Sequence, residues 1–158
     1  MKVRKRHFIK ADLASEVMSA LSAYEPEVLY TGSLELAQSK KFKVLLLNGT
    51  PLAMCLEGKP FFTVKGALEF RPRRHLVTVD TGAVKFVING ADIMSPGVVS
   101  ADTDVSPGDL VVVIEEQHNK ALAVGKALIS GSEMVHNRTG KAVQIMHHIG
   151  DEIWNLRA

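Results

Sequence analysis

The chain has 158 residues and 17.2 kDa, is 46% hydrophobic and 23% charged, and carries one cysteine and a formal net charge of +2. Such a composition excludes wholesale disorder and fibrous repeats, and a lone cysteine excludes a disulfide framework and points to a reducing compartment. No apolar run approaches the ~18 residues of a membrane span, and the basic N-terminus lacks the apolar stretch of a secretory signal, so a cytoplasmic protein away from membranes is expected.

The charge divides along the chain. Residues 1–75 carry thirteen Lys/Arg against seven Asp/Glu, a net of +6, and residues 76–158 carry six against ten, a net of −4. A basic first half suits a phosphate-bearing partner approached from one end, and pairing between the halves would produce the same split.

Residues 1–10 hold five basic residues and no acid. Asp12 is a candidate helix cap, with Glu16 in the first turn where the dipole favours negative charge. Leu13, Val17, Ala20, Leu21 and Tyr24 follow at helical spacing, and Pro26 ends that pattern. From Val28 the period shortens. Short strands are expected over 28–30, 34–37, 43–47, 51–56 and 61–64, separated by turn signals at Thr31-Gly32, Asn48-Gly49 and Glu57-Gly58-Lys59-Pro60. The first 70 residues thus read as a helix plus a small antiparallel sheet. Arg71-Pro72-Arg73-Arg74-His75 is a polar, proline-containing junction, and it marks the expected boundary between domains 1–74 and 75–158.

Beyond the junction a strand over 76–79 leads through Asp80-Thr81-Gly82 into a short helix. There Val84, Val87 and Ile88 share one face, while Lys85 and Asn89, four apart, share another. Gly90 suits the left-handed position that stops a helix. Ser95-Pro96-Gly97, Ser106-Pro107-Gly108-Asp109, His118-Asn119-Lys120 and Asn137-Arg138-Thr139-Gly140 then punctuate strands over 98–100, 110–115, 121–129 and 141–148. Turns every ten residues or so argue for a small barrel or closed sheet.

Few residues carry signs of bond chemistry. Cys55 lies in an apolar strand with no neighbouring base, which suits a core cysteine better than a nucleophile. His147 and His148 are adjacent on a strand and point to opposite faces, so they do not make a metal pair. Asp80-Thr81-Gly82 has the letters of an aspartic protease turn, but the helical spacing after it makes Asp80 a strand-end or helix-capping residue. No glycine-rich phosphate loop and no Gly-x-Ser-x-Gly elbow occurs, and Asn137-Arg138-Thr139 reads as a turn. Neither metal nor cofactor is expected.

The run Val79-Asp80-Thr81-Gly82-Ala83-Val84-Lys85-Phe86-Val87-Ile88-Asn89-Gly90-Ala91-Asp92-Ile93-Met94-Ser95-Pro96-Gly97-Val98 resembles the opening of a PUA domain, the RNA-binding module named for pseudouridine synthases and archaeosine transglycosylases. Gly108-Asp109, Ala123-Val124-Gly125, Gly140-Lys141-Ala142 and Asp151-Glu152-Ile153-Trp154 follow in the family's order, so the resemblance covers residues 75–156. Its letters are similar to the translation-associated branch, with malignant T-cell-amplified-sequence and ligatin-like proteins, which carry a small domain ahead of the PUA domain.

The resemblance implies an α+β chain: a small N-terminal α/β, pre-PUA-like domain followed by a C-terminal PUA-type β pseudobarrel with short helices. It also implies RNA lying over the first barrel helix, its preceding glycine turn and the adjacent strands. Carried over, Gly82 and Ala83 would admit a sugar-phosphate backbone, Lys85 would meet a phosphate with Asn89 on the same face, and Gly90 and Gly97 would shape the groove. Arg73 and Arg74 would add charge nearby. The enzymes of the family need a catalytic domain far larger than 74 residues, so a non-enzymatic protein is expected. Its expected partner is a transfer RNA 3′ end or ribosomal RNA of the small ribosomal subunit, with a translation factor as a further candidate. The acidic second half, and nine aromatics without paired stacking positions, keep a second class open: an adaptor that docks a protein partner without touching RNA.

Overall fold

The computed structural model describes residues 5–9, 11–25, 34–39 and 41–156. Its first sheet is an antiparallel meander of β1 (Lys5–Phe8), β2 (Leu34–Gln38), β3 (Lys43–Leu47), β4 (Thr50–Leu56) and β5 (Lys59–Phe62), in that spatial order. Helix α1 (Ala11–Ser22) buries Val17 and Leu21 against it. The side chain of Asp12, the strand expected over 28–30, Pro26 and the Thr31-Gly32 turn lie outside the described residues. Two features go beyond the sequence expectation. The basic N-terminal segment supplies β1, and the strand expected over 61–64 gives way at Thr63 to helix α2 (Val64–Phe70). Thr63 causes the switch: its hydroxyl accepts from Gly66 N at 3.0 Å, capping the helix, and donates to Pro51 O at 2.7 Å, tying that cap to β4.

The second sheet is mixed, in the order β7 (Ile93–Met94), β11 (Lys141–His148), β10 (Ala121–Ala127), β9 (Leu110–Glu115), β6 (Leu76–Val79), β8 (Val98–Ala101). Only β6 and β9 run parallel. The two edge strands, β7 and β8, are joined directly by the 3₁₀ turn Ser95–Gly97, so the chain itself bridges the open side and the sheet forms a nearly closed pseudobarrel. Helix α4 (Gly131–His136) packs on β8 and that turn. Strand β10 stops at Ala127, two residues short of the strand expected over 121–129, and α4 starts after Ser130, whose Oγ caps it by accepting from Glu133 N at 3.2 Å and donates to Glu133 Oε1 at 3.1 Å.

The sheets share a core. Along β9 the side chains alternate, with Val111 and Val113 filling the barrel and Leu110, Val112 and Ile114 packing with Leu46, Met54, Phe61 and Phe62 of the first sheet. Both faces of β9 are therefore buried, which is why its sequence is a continuous apolar run. Helix α2 sits in this seam, against β4 and β10. It approaches β4 so closely that a Cβ at Gly66 would fall on the Leu52 carbonyl oxygen. Cys55 is half-buried on the other face of β4, between buried Met54 and Leu56, which corrects its expected place in the core.

His147, fully buried, fastens the seam. Its Nε2 accepts from Val64 N at 3.1 Å and its Nδ1 donates to Asp151 Oδ2 at 2.8 Å, which fixes the Nδ1-protonated tautomer. Burial raises the Asp151 carboxyl, but the hydrogen bond from His147, with the amides of Trp154 and His148, holds it below its ordinary value. His148 points elsewhere, half-buried with Nδ1 on Ile149 O at 2.8 Å, so the two histidines do lie on opposite faces.

Candidate nucleic-acid interface

Asp80 ends β6 and starts the 3₁₀ turn Thr81–Ala83, which runs on into helix α3 (Val84–Val87). Its Oδ1 accepts from Ala83 N at 2.9 Å and its amide donates to Gly97 O at 3.0 Å. The carboxylate is thus a helix cap. The glycine turn is pinned from outside by Glu116, whose Oε1 accepts from Thr81 N at 3.3 Å and Thr81 Oγ1 at 3.2 Å.

This arrangement brings Gly82, Ala83 and Gly97 together. A Cβ at Gly97 would sit 3.4 Å from Ala83 Cβ, and one at Gly82 would meet only Asp80 Oδ1, at 3.4 Å. The surface between them is backbone with almost no side chain over it. It borders a groove of about 710 Å³ floored by Val87, Ile93 and Pro96. Phe86 and Met94 line that groove at 57% and 47% exposure, and the Lys141–Asp92 ion pair, 3.1 Å, lies at it too.

Lys85 projects from the exposed face of α3 with its Nζ 5.2 Å from the Phe86 ring centroid, and it forms no ion pair among the described residues. Asn89 is on that face but acts locally, its Nδ2 donating to Lys85 O at 2.9 Å. Gly90 stops the segment at φ +89°, a left-handed conformation that favours glycine, and a Cβ there would stand 3.0 Å from the end of the His148 side chain, at Nε2. Of the apolar stripe, Val87 is buried and Val84 half-buried, whereas Ile88 is exposed.

Arg73 and Arg74 lie apart from this cluster, and neither lines the groove. Arg73 grips Glu25 with two bonds, Nε to Oε2 at 3.0 Å and Nη2 to Oε1 at 2.9 Å, and Arg74 holds Asp104 Oδ2 at 2.9 Å and Ala23 O at 3.1 Å. The bond from Arg74, outweighing a small burial effect, keeps the Asp104 carboxyl below its ordinary range. Both arginines therefore connect the α1 end to the barrel. Arg71, two residues earlier, forms no such bond among the described residues. Sequence position alone separates none of the three.

A mixed pseudobarrel opened by a strand, a capped glycine turn and a short helix is the architecture of a PUA domain, and the family model for the PUA domain matches residues 75–149. An uncharacterised protein of Methanocaldococcus jannaschii is 37% identical over 161 residues, covering 99% of each chain. Translation machinery-associated protein 20 of Saccharomyces cerevisiae is 40% identical over 86 residues, which span 51% of this chain and 48% of that one, about half its length. A solved structure of a hypothetical protein from Pyrococcus horikoshii superposes with a TM-score of 0.88 at 31% identity, over 98% of this chain and 100% of that one. The chain belongs to the PUA-domain proteins, in their translation-associated branch. No helix among the described residues is long and apolar enough to cross a membrane.

Proposed function

We propose that the protein is a cytoplasmic RNA-binding factor of the translation apparatus, which positions a transfer RNA 3′ end or a ribosomal RNA segment of the small subunit and makes no or breaks no bond. In this reading residues 75–158 form the RNA module and residues 1–74 a supporting domain. The observation that carries it is the juxtaposition of an unpaired cation, Lys85, with the bare backbone of Gly82, Ala83 and Gly97. A sugar-phosphate chain needs both: a surface without side chains to come close, and a charge to meet the phosphate. Asn89 and Gly90 set the end of the helix that presents Lys85, and Arg73 and Arg74 hold the barrel to α1 while keeping their exposed heads in the local field. The identity of the yeast relative as a translation machinery-associated protein supports the setting.

The test is a titration against transfer RNA with and without its single-stranded 3′ end, at two salt concentrations. Wild-type protein is expected to bind the form with the 3′ end, and more weakly as salt rises. Lys85→Glu is expected to reduce the log–log salt slope by about 0.7 or more, the value of one single-strand phosphate contact, with folding intact. Unchanged binding by Lys85→Glu removes that residue from the site.

A second reading rests on the exposed Phe86 and Met94 beside the groove. Apolar side chains of this size on a rim suit a protein partner. Ribosome association that is nearly independent of salt and insensitive to Lys85→Glu favours that adaptor reading.

A further inference from the structure

Two cavities flank the β9–β10 hairpin and share a wall. One, about 800 Å³, reaches Gly82 and Lys85; the other, about 760 Å³, reaches Arg71 and Pro72 at the end of α2. Leu68, His118, Lys120 and Ala121 line both. A single trough therefore runs from the glycine turn, past the hairpin tip, to the junction between the sheets. Arg71, Lys85 and Lys120 are exposed along it and form no ion pair among the described residues. Its one acidic lining residue, Glu115, is already occupied. The Glu115 carboxylate accepts from Gln117 N at 3.0 Å, His118 N at 2.7 Å and Lys120 N at 3.1 Å, which also fixes the backbone that carries His118 and Lys120. Its floor is apolar, with Leu68, Ile88 and Ile149.

We infer that this trough is the path of a single-stranded phosphodiester segment, which passes over Gly82 and Lys85 and leaves by Lys120 and Arg71. The inference rests on the RNA reading above and deepens it by assigning the course of the strand across the seam. Free cations at a rim hold phosphates, and an apolar floor takes the faces of unpaired bases; a duplex would offer the same trough only its backbone. Two of the three cations, Arg71 and Lys120, lie outside the glycine turn and α3, so the first half of the chain contributes to binding through the end of α2.

The experiment uses the full chain and transfer RNA carrying its single-stranded 3′ end. Arg71→Gln and Lys120→Gln are each expected to reduce the log–log salt slope by about 0.7, and the double variant by about 1.4. Their melting temperatures should match wild type, since both heads are exposed. Lys43→Gln, on the first sheet outside the trough, removes the same charge and is expected to leave the slope unchanged. A double variant that keeps the wild-type slope overturns the trough and leaves the RNA reading standing. An equal fall in Lys43→Gln assigns the effect to net charge and overturns the trough as well. Wild-type protein that binds neither form of the RNA overturns both readings together.

Discussion

Replacing His147 by alanine tests whether one buried side chain couples the two sheets. The substitution leaves Val64 N–H, in the first turn of α2, without its acceptor, and an orphaned buried donor costs about 1–3 kcal/mol. Asp151 loses a bond of the charged class, about 1.5–3 kcal/mol, but keeps the amides of His148 and Trp154, so the lower end applies. The vacated imidazole volume adds a cavity contribution. These effects come from one side chain and overlap, so a net loss of about 3–5 kcal/mol is expected, a large share of the roughly 5–15 kcal/mol of an ordinary domain. His147→Gln, which retains both an acceptor and a donor, should lose less than half as much. Urea unfolding followed by fluorescence suits the question, because Trp154 is the only tryptophan and its ring lies 5.2 Å from Lys65 Nζ of α2, across the same seam. An alanine variant that loses less than about 1 kcal/mol refutes the coupling, and a glutamine variant no better than alanine refutes the role of the Val64 bond.

Gly66→Ala should destabilise by more than about 3 kcal/mol, because neither the Leu52 backbone nor the capped helix can yield, whereas Gly82→Ala, with one contact at 3.4 Å, should unfold at the wild-type urea midpoint. Asp151 has a folded pKa below its ordinary value, so its stabilisation is present above about pH 4 and is lost as pH falls through the folded value. Asp151→Asn should therefore be less stable than wild type at pH 7, with the gap narrowing below pH ~4, as read from urea midpoints across that range.

Strands 43–47, 110–115 and 141–148 are legible in the sequence to the residue, because each is a strongly apolar or alternating run between turn residues. The glycine turn and short helix at 80–87 are legible for the same local reason: Asp80 caps, and Val84 and Val87 repeat at helical spacing. Helix α4 had a local signal too, the Ser-x-x-Glu spacing of Ser130 and Glu133, masked by the apolar run before it. Helix α2 had a weaker one. Val64–Phe70 follows two phenylalanines that read as strand, and only the Thr63 cap on Gly66 separates them. Strand β7 is two residues long and exists because β11 offers it an edge, with Val143, the partner of Ile93, 50 residues away and outside any local window.

Charge shows the same limit more sharply. Arg71, Arg73 and Arg74 stand within four residues and have the same chemistry, yet Glu25 is 48 residues before Arg73 and Asp104 is 30 residues after Arg74. Pairing is decided by the seam, which brings the end of α1 against the start of the barrel. Arg73 thereby ties the junction back to the end of α1 within the first half, Arg74 bonds the first half to the second through Asp104, and Arg71 is left at the mouth of the trough. The basic first half and acidic second half are thus not two separate messages about partners. Part of the opposite charge holds the sheets together, and among the cations left without an ion pair, Arg71 and Lys120 beside Lys85 form a line across the seam. A binding surface built this way exists only while the sheets are docked, so a variant that loosens His147 should weaken RNA binding even though His147 is fully buried and lines neither cavity.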